Sequence, residues 1–122
     1  MKLTSFTQLK AWQEAHILTL LIYEATNKFP KEEKYCLTDQ VRRSVISIPS
    51  NIAEGFALRS RKEKLKHYYV SKGSLFELQA QILIARDLKY MSKINFDKIA
   101  EDTKKVNALI MGLIKNAQDR KK

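Results

Sequence analysis

The chain has 122 residues, 44% hydrophobic and 30% charged, and its 23 Lys and Arg outnumber 13 Asp and Glu for a formal charge of +10. That is enough for one domain with its own core, and too apolar for a disordered chain. Three glycines, two prolines and a lone Cys36 supply too few turns for an all-β fold and no internal disulfide or cysteine metal cluster.

The opening stretch, MKLTSFTQLKAWQEAH, lacks the basic-then-apolar order of a signal peptide. The longest apolar run, Ile17 to Tyr23, is far short of the roughly 20 residues that cross a bilayer. A cytoplasmic protein in a reducing compartment, with no membrane partner, is expected.

The first helix is predicted over about residues 6–28, where Ala15, Leu18, Ile22, Ala25 and Phe29 step by three and four. Trp12, Ile17, Leu20 and Leu21 fall outside that stripe, so a second face is apolar too, more than a lone small bundle needs; oligomerisation is expected from this alone. Pro30 ends the segment.

The second helix is predicted over about residues 34–58, with Leu37, Val41, Val45, Ile48, Ile52 and Phe56 on one face. Pro49 lies inside it, lacks an amide hydrogen and presses on the carbonyl of Val45, a cost of about 3 kcal/mol. The segment either splits at residues 47–49 or continues with a bend. The apolar stripe keeps its phase across the proline, which favours one helix bent at Pro49, with Ser44, Ser47 or Ser50 serving the freed carbonyls. A second stripe, Gln40, Ser44, Ser47, Asn51 and Glu54, lies about 100° round from the first. Asn51 and Glu54, with Ser74 and Glu77 of the third helix, are expected to form a partly buried polar network that fixes helix register; its functional alternative is a binding or catalytic site. Gly55 is expected to act as a cap or hinge, and Gly73 to let two backbones approach.

The third helix is predicted over about residues 61–91, opened by Ser60 with Glu63 as capping-box partner and carrying Tyr68, Ser71, Leu75, Leu78, Ile82 and Ala85 on one face. The fourth, over about residues 95–118, carries Phe96, Ile99, Thr103, Val106, Ile110, Leu113 and Ala117. Four rods joined by short loops make an all-α, antiparallel, up-down-up-down four-helix bundle forming a single domain over residues 1–122.

FPKEEKY, SIPSNIAEG and GSLFEL, in this order and spacing within Leu9 to Tyr90, resemble the bacterial four-helix-bundle family of 23S rRNA intervening-sequence proteins. The resemblance implies an antiparallel four-helix bundle assembling into a ring-like homopentamer, with no established enzymatic activity. It also implies kinship with the accessory variability proteins of diversity-generating retroelements, basic pentamers that bind nucleic acid and a reverse transcriptase.

Charge directs the functional reading. A domain this basic attracts polyanions, RNA or DNA first among them. The densest stretch, RSRKEKLKH, offers Arg59, Arg61, Lys62, Lys64 and Lys66 as phosphate contacts, with Arg42 and Arg43 secondary. Lys104, Lys105, Lys115, Arg120, Lys121 and Lys122 form a second patch. No base-specific reading, cofactor, metal site or catalytic residue is expected. Di-iron bundles need Glu-x-x-His pairs, and His16 and His67 are the only histidines. The rival classes are an adaptor ring that recruits a protein such as a reverse transcriptase, and a HEPN-like ribonuclease. The ribonuclease pattern, Arg-x(4–6)-His, is matched by Arg61 and His67, but at the start of the third helix, where such enzymes do not keep it.

Overall fold

Four α-helices follow one another in the computed structural model, which describes residues 3–119: α1 (Lys10–Thr26), α2 (Leu37–Ala57), α3 (Arg61–Asp87) and α4 (Lys93–Asp119). Among the described residues there is no strand.

Local chemistry moves several boundaries from where periodicity placed them. Leu9 is extended, with φ −74° and ψ 128°, so α1 begins at Lys10. Residues Phe6–Gln8 instead form a separate 3-10 turn, closed by a reciprocal capping box between Ser5 and Gln8. After α1 the chain makes a second 3-10 turn, Lys31–Glu33, and α2 starts only at Leu37. Glu33 explains that start: Oε1 accepts from the Leu37 amide at 3.1 Å, and Oε2 accepts from the Tyr90 hydroxyl at 2.9 Å. One carboxylate therefore caps α2 and ties it to the α3–α4 corner, where the Tyr90 ring packs 5.5 Å from Phe29. The hydrogen bond to Glu33 pushes the Tyr90 phenol above its usual range.

The third helix stops at Asp87 because Lys89 turns left-handed, with φ 66°. The amides of Lys89 and Tyr90 then reach back to the carbonyls of Arg86 and Ala85, both at 2.9 Å, the paired bonds of a Schellman end. Lysine stands where glycine is the usual residue, so the sequence carried no stop signal there. Ser92 opens α4 by accepting from the Asn95 amide at 3.1 Å.

Helix α2 runs without interruption through the buried Pro49. None of the expected serines is hydrogen-bonded to the Val45 carbonyl; the approach comes from α1, where the Thr19 hydroxyl donates to Ala15 at 2.8 Å and lies 3.5 Å from Val45. Ser47 is engaged elsewhere, with Asn51 and Ser74.

The apolar stripes close on one another around a core of Leu18 and Ile22 from α1, Val41, Val45, Ile48 and Ile52 from α2, Leu75, Leu78 and Ile82 from α3, and Ile99, Val106 and Ile110 from α4. Each large aliphatic side chain so buried stabilises the fold by about 1.5–3 kcal/mol before entropy is counted. Cross-helix contacts step in opposite directions along neighbouring helices. Thr26 and Thr19 of α1 meet Arg42 and Val45 of α2, and Asn51 and Ser47 of α2 meet His67 and Ser74 of α3. Tyr69 and Gln79 of α3 meet Gln118 and Thr103 of α4. Helix α4 returns beside α1, where Lys105 pairs with Glu14 at 3.3 Å. The hydrogen bond from Lys10, joined by Lys105, holds the Glu14 carboxyl below the usual carboxylate range against the effect of burial.

The close approach expected at Gly73 is found at Gly55 instead. Gly55 is where a ring meets backbone: a Cβ there would lie 2.5 Å from Tyr68 Cε1, and Tyr68 is buried. Gly73 is exposed, with nothing within 4 Å of such a Cβ. Among the described residues, no helix is long and apolar enough to cross a membrane.

Candidate nucleic-acid interface

The α2–α3 corner gathers the densest positive charge. The chain leaves α2 at Ala57, turns through Leu58–Ser60 and enters α3, whose first turn is capped by Ser60 Oγ accepting from the Glu63 amide at 3.3 Å. Arg59, Arg61, Lys62 and Lys66 are exposed on this corner. Among the described residues, Arg59, Lys62 and Lys66 make no ion pair. Glu63 is the one acid between Gly55 and Phe76, so the local field is strongly positive.

Lys64 belongs to this run in sequence but is engaged otherwise. Its ammonium donates to the carbonyls of Gly55 at 3.0 Å and Phe56 at 2.9 Å and sits 5.7 Å from the Phe56 ring centre. A cation on the last carbonyls of a helix satisfies acceptors that have no intrahelical partner and complements the negative end of the dipole. Lys64 thereby fastens α3 to the end of α2.

Arg42 does the same at the other end of the bundle. Its guanidinium donates to Thr26 Oγ1 at 2.8 Å, Asn27 Oδ1 at 3.0 Å and the Tyr23 carbonyl at 3.4 Å, and lies 4.5 Å from the Tyr23 ring centre. Arg43 is exposed and paired with Asp39 at 3.1 Å. At 1.5 Å per residue, Arg43 stands about 20 Å along α2 from the basic corner. The two arginines and the corner therefore do not form one patch.

In the second basic group, Lys105 is bound to Glu14. Lys115 is exposed near the end of α4, which lies beside the start of α3: Gln118 Nε2 donates to Tyr69 Oη at 3.0 Å. Lys104 is exposed. Arg120, Lys121 and Lys122 lie outside the described residues.

The polar network exists with altered membership. Asn51 Nδ2 donates to the Ser47 carbonyl at 2.9 Å and lies 3.1 Å from Ser47 Oγ, while Ser74 Oγ donates to Ser47 Oγ at 2.7 Å. Asn51 Oδ1 is 3.0 Å from His67 Nδ1, and Ser71 Oγ donates to the Ile48 carbonyl at 2.9 Å. Because the Asn51 amide nitrogen is committed to Ser47, its oxygen accepts, and His67 Nδ1 carries the proton. Glu54 Oε1 stands 3.9 Å from His67 Nδ1, with its side chain 65% exposed. Glu77 is exposed and, among the described residues, makes no hydrogen bond or ion pair, so it is not the counterpart of Asn51. Residue 77 follows Ser74 by three, which turns it about 60° away from the α2 contact. His67 is the member that periodicity offered and charge obscured: residues 67, 71 and 74 recur at four and three.

Apolar side chains are also exposed on two edges. Between α1 and α2, Trp12, Thr19, Ile46 and Pro49 line a groove of about 280 Å³, and Ile17 and Leu20 of α1 are also exposed. On α3, Tyr69, Phe76 and Leu83 recur every seven residues on the solvent side.

No curated protein matches the chain. A crystal structure at 1.70 Å resolution, of a protein with unknown function from the S23 ribosomal protein family of Bacteroides thetaiotaomicron VPI-5482, is similar in fold. The TM-score is 0.80 at 20% identity, and the match covers 86% of this chain and 98% of that one. The sequence model of the family described as 23S rRNA-intervening sequence protein matches residues 7–112, nearly the whole bundle, and the chain belongs to that family.

Proposed function

We propose that the protein is a non-enzymatic, self-associating helical bundle of the cytoplasm that binds RNA or DNA, without reading base sequence, through the cationic corner between α2 and α3. The observation that carries this reading is the exposure of Arg59, Lys62 and Lys66 without ion pairs beside Arg61, on a chain of net charge +10. Cations that serve folding have partners, as Lys64 and Arg42 do. Cations left in water at one end of a bundle suit phosphates.

Against a ribonuclease stands the place of the pattern, since Arg61 and His67 open α3 and not the last helix. The His67 proton at Nδ1 is held by Asn51.

Self-association is supported by the two apolar edges, which lie on different helices. A contact of one edge with the other on a second copy is heterologous, the kind that closes into rings, in keeping with the pentamer that the resemblance implies. A ring would repeat the basic corner in every subunit and strengthen weak contacts by avidity.

Filter binding of RNA and DNA tests the first claim: retention at 50 mM salt that falls roughly tenfold to a thousandfold by 200 mM is expected for a few phosphate contacts. Absence of retention at low salt overturns it in favour of the adaptor class, with a protein such as a reverse transcriptase as partner. Light scattering tests the second, and a mass near 14.2 kDa overturns it.

A further inference from the structure

At the same end of the bundle as the basic corner lies a cavity of about 500 Å³, walled by Leu9, Phe56, Tyr68 and Leu113, with Lys64 and Asn116 as its polar members. We propose that this cavity receives one unstacked base of a single-stranded nucleic acid whose phosphates lie on the Arg59–Lys66 corner. This rests on the nucleic-acid reading above and narrows it from polyanions in general to single strands.

Three observations carry the inference. The volume falls within the range of roughly 300–1,000 Å³ typical of small-molecule sites, and two aromatic rings stand in a lining that is part apolar and part polar. The half-buried Phe56 ring suits a base of any identity, because every base has a π-face; Tyr68 lines the cavity as a buried ring, and the exposed Asn116 offers both a donor and an acceptor to the base edge. Cavity and cations are also built on one element. Lys64, a cavity residue, stands three after Arg61 and four before Tyr68, so all three lie on one face of α3. A strand whose backbone lies along Arg61 passes the cavity, whereas Lys62 and Lys66 leave α3 about 100–140° further round. A duplex holds its bases paired and stacked and cannot fill the cavity without unpairing one.

The test compares three ligands of equal phosphate number at 150 mM salt: a single-stranded oligonucleotide, a duplex, and an abasic polydeoxyribose-phosphate strand. The expected result is single-strand affinity about tenfold above the other two, the scale of one base–aromatic contact. Ala117→Leu, which grows into the cavity from its wall, should erase that preference and leave duplex binding unchanged. Phe56→Leu, which removes a stacking ring, should do the same where Ala117→Leu fails to fold by circular dichroism. Equal binding of all three ligands overturns base insertion while the phosphate reading stands. A preference that survives both substitutions also overturns it. If no ligand binds at 50 mM salt, both readings fall together.

Discussion

Gly55→Ala would place a methyl 2.5 Å from Cε1 and 2.9 Å from Cδ1 of Tyr68, closer than carbon atoms pack. The ring is 4% exposed and cannot swing into water without opening the end of the core. Overpacking of this kind costs typically 1–3 kcal/mol, and a contact this short on a buried ring belongs at the upper end. Alanine regains about 1 kcal/mol of helix propensity over glycine, leaving a net loss of about 2 kcal/mol. At about 2.1 cal/mol/K per residue, 122 residues unfold with roughly 0.26 kcal/mol/K, so each kcal/mol moves Tm by about 4 °C. Thermal melts followed by circular dichroism should then show Gly55→Ala about 8 °C below the parent. Gly112→Ala, with nothing within 4 Å of its new methyl, should melt about 4 °C above it. If both variants move upward together, the ring does not press on the α2 backbone and the account of this end of the bundle is wrong.

Asn51→Leu should cost about 1–3 kcal/mol in chemical denaturation, because it strips His67 Nδ1 and Ser47 of partners in a half-buried site, whereas Glu77→Gln should change nothing. Lys89→Gly should stabilise by about 1 kcal/mol, since glycine adopts the left-handed conformation at φ 66° without strain; an unchanged denaturation midpoint would argue against strain at that turn. Glu14→Gln should cost about 0.5–1 kcal/mol at neutral pH. Since the folded Glu14 carboxyl titrates below its ordinary value, that difference should hold above the ordinary carboxylate range and vanish as pH falls through the folded value. A difference that grows with acid would contradict the sign of the shift.

The interior of this bundle was readable because burial has a period. Leu18, Val45, Leu78 and Val106 all fall on stripes spaced by three and four, and all are fully buried or nearly so. The unbroken phase from Val45 to Phe56 likewise announced that α2 continues through Pro49. What stayed hidden were interactions that fasten helix ends, because periodicity within one segment does not report which groups of another segment a side chain meets. Lys64 and Arg42 read as surface charge, yet each closes the end of the preceding helix. Glu33 falls between the predicted first and second helices, yet joins two corners. The segments that carry the family resemblance hold several contacts between elements: Phe29 and Glu33 in FPKEEKY; Ser47, Asn51 and Gly55 in SIPSNIAEG; Ser74 in GSLFEL. At the basic corner, composition located the charge but not its division between Lys64, which serves the fold, and Arg59, Lys62 and Lys66, which face water.

That division sets the most direct measurement. Affinity for a single-stranded oligonucleotide should be followed by fluorescence anisotropy from 50 to 200 mM salt, for the parent and for the Arg59→Gln, Lys62→Gln, Lys66→Gln triple variant. Each phosphate contact on a single strand adds about 0.7 to the slope of log affinity against log salt, so the triple variant should show a slope shallower by about 2 with an unchanged Tm. A variant that binds with the parent's slope would contradict the claim that this corner holds the nucleic acid.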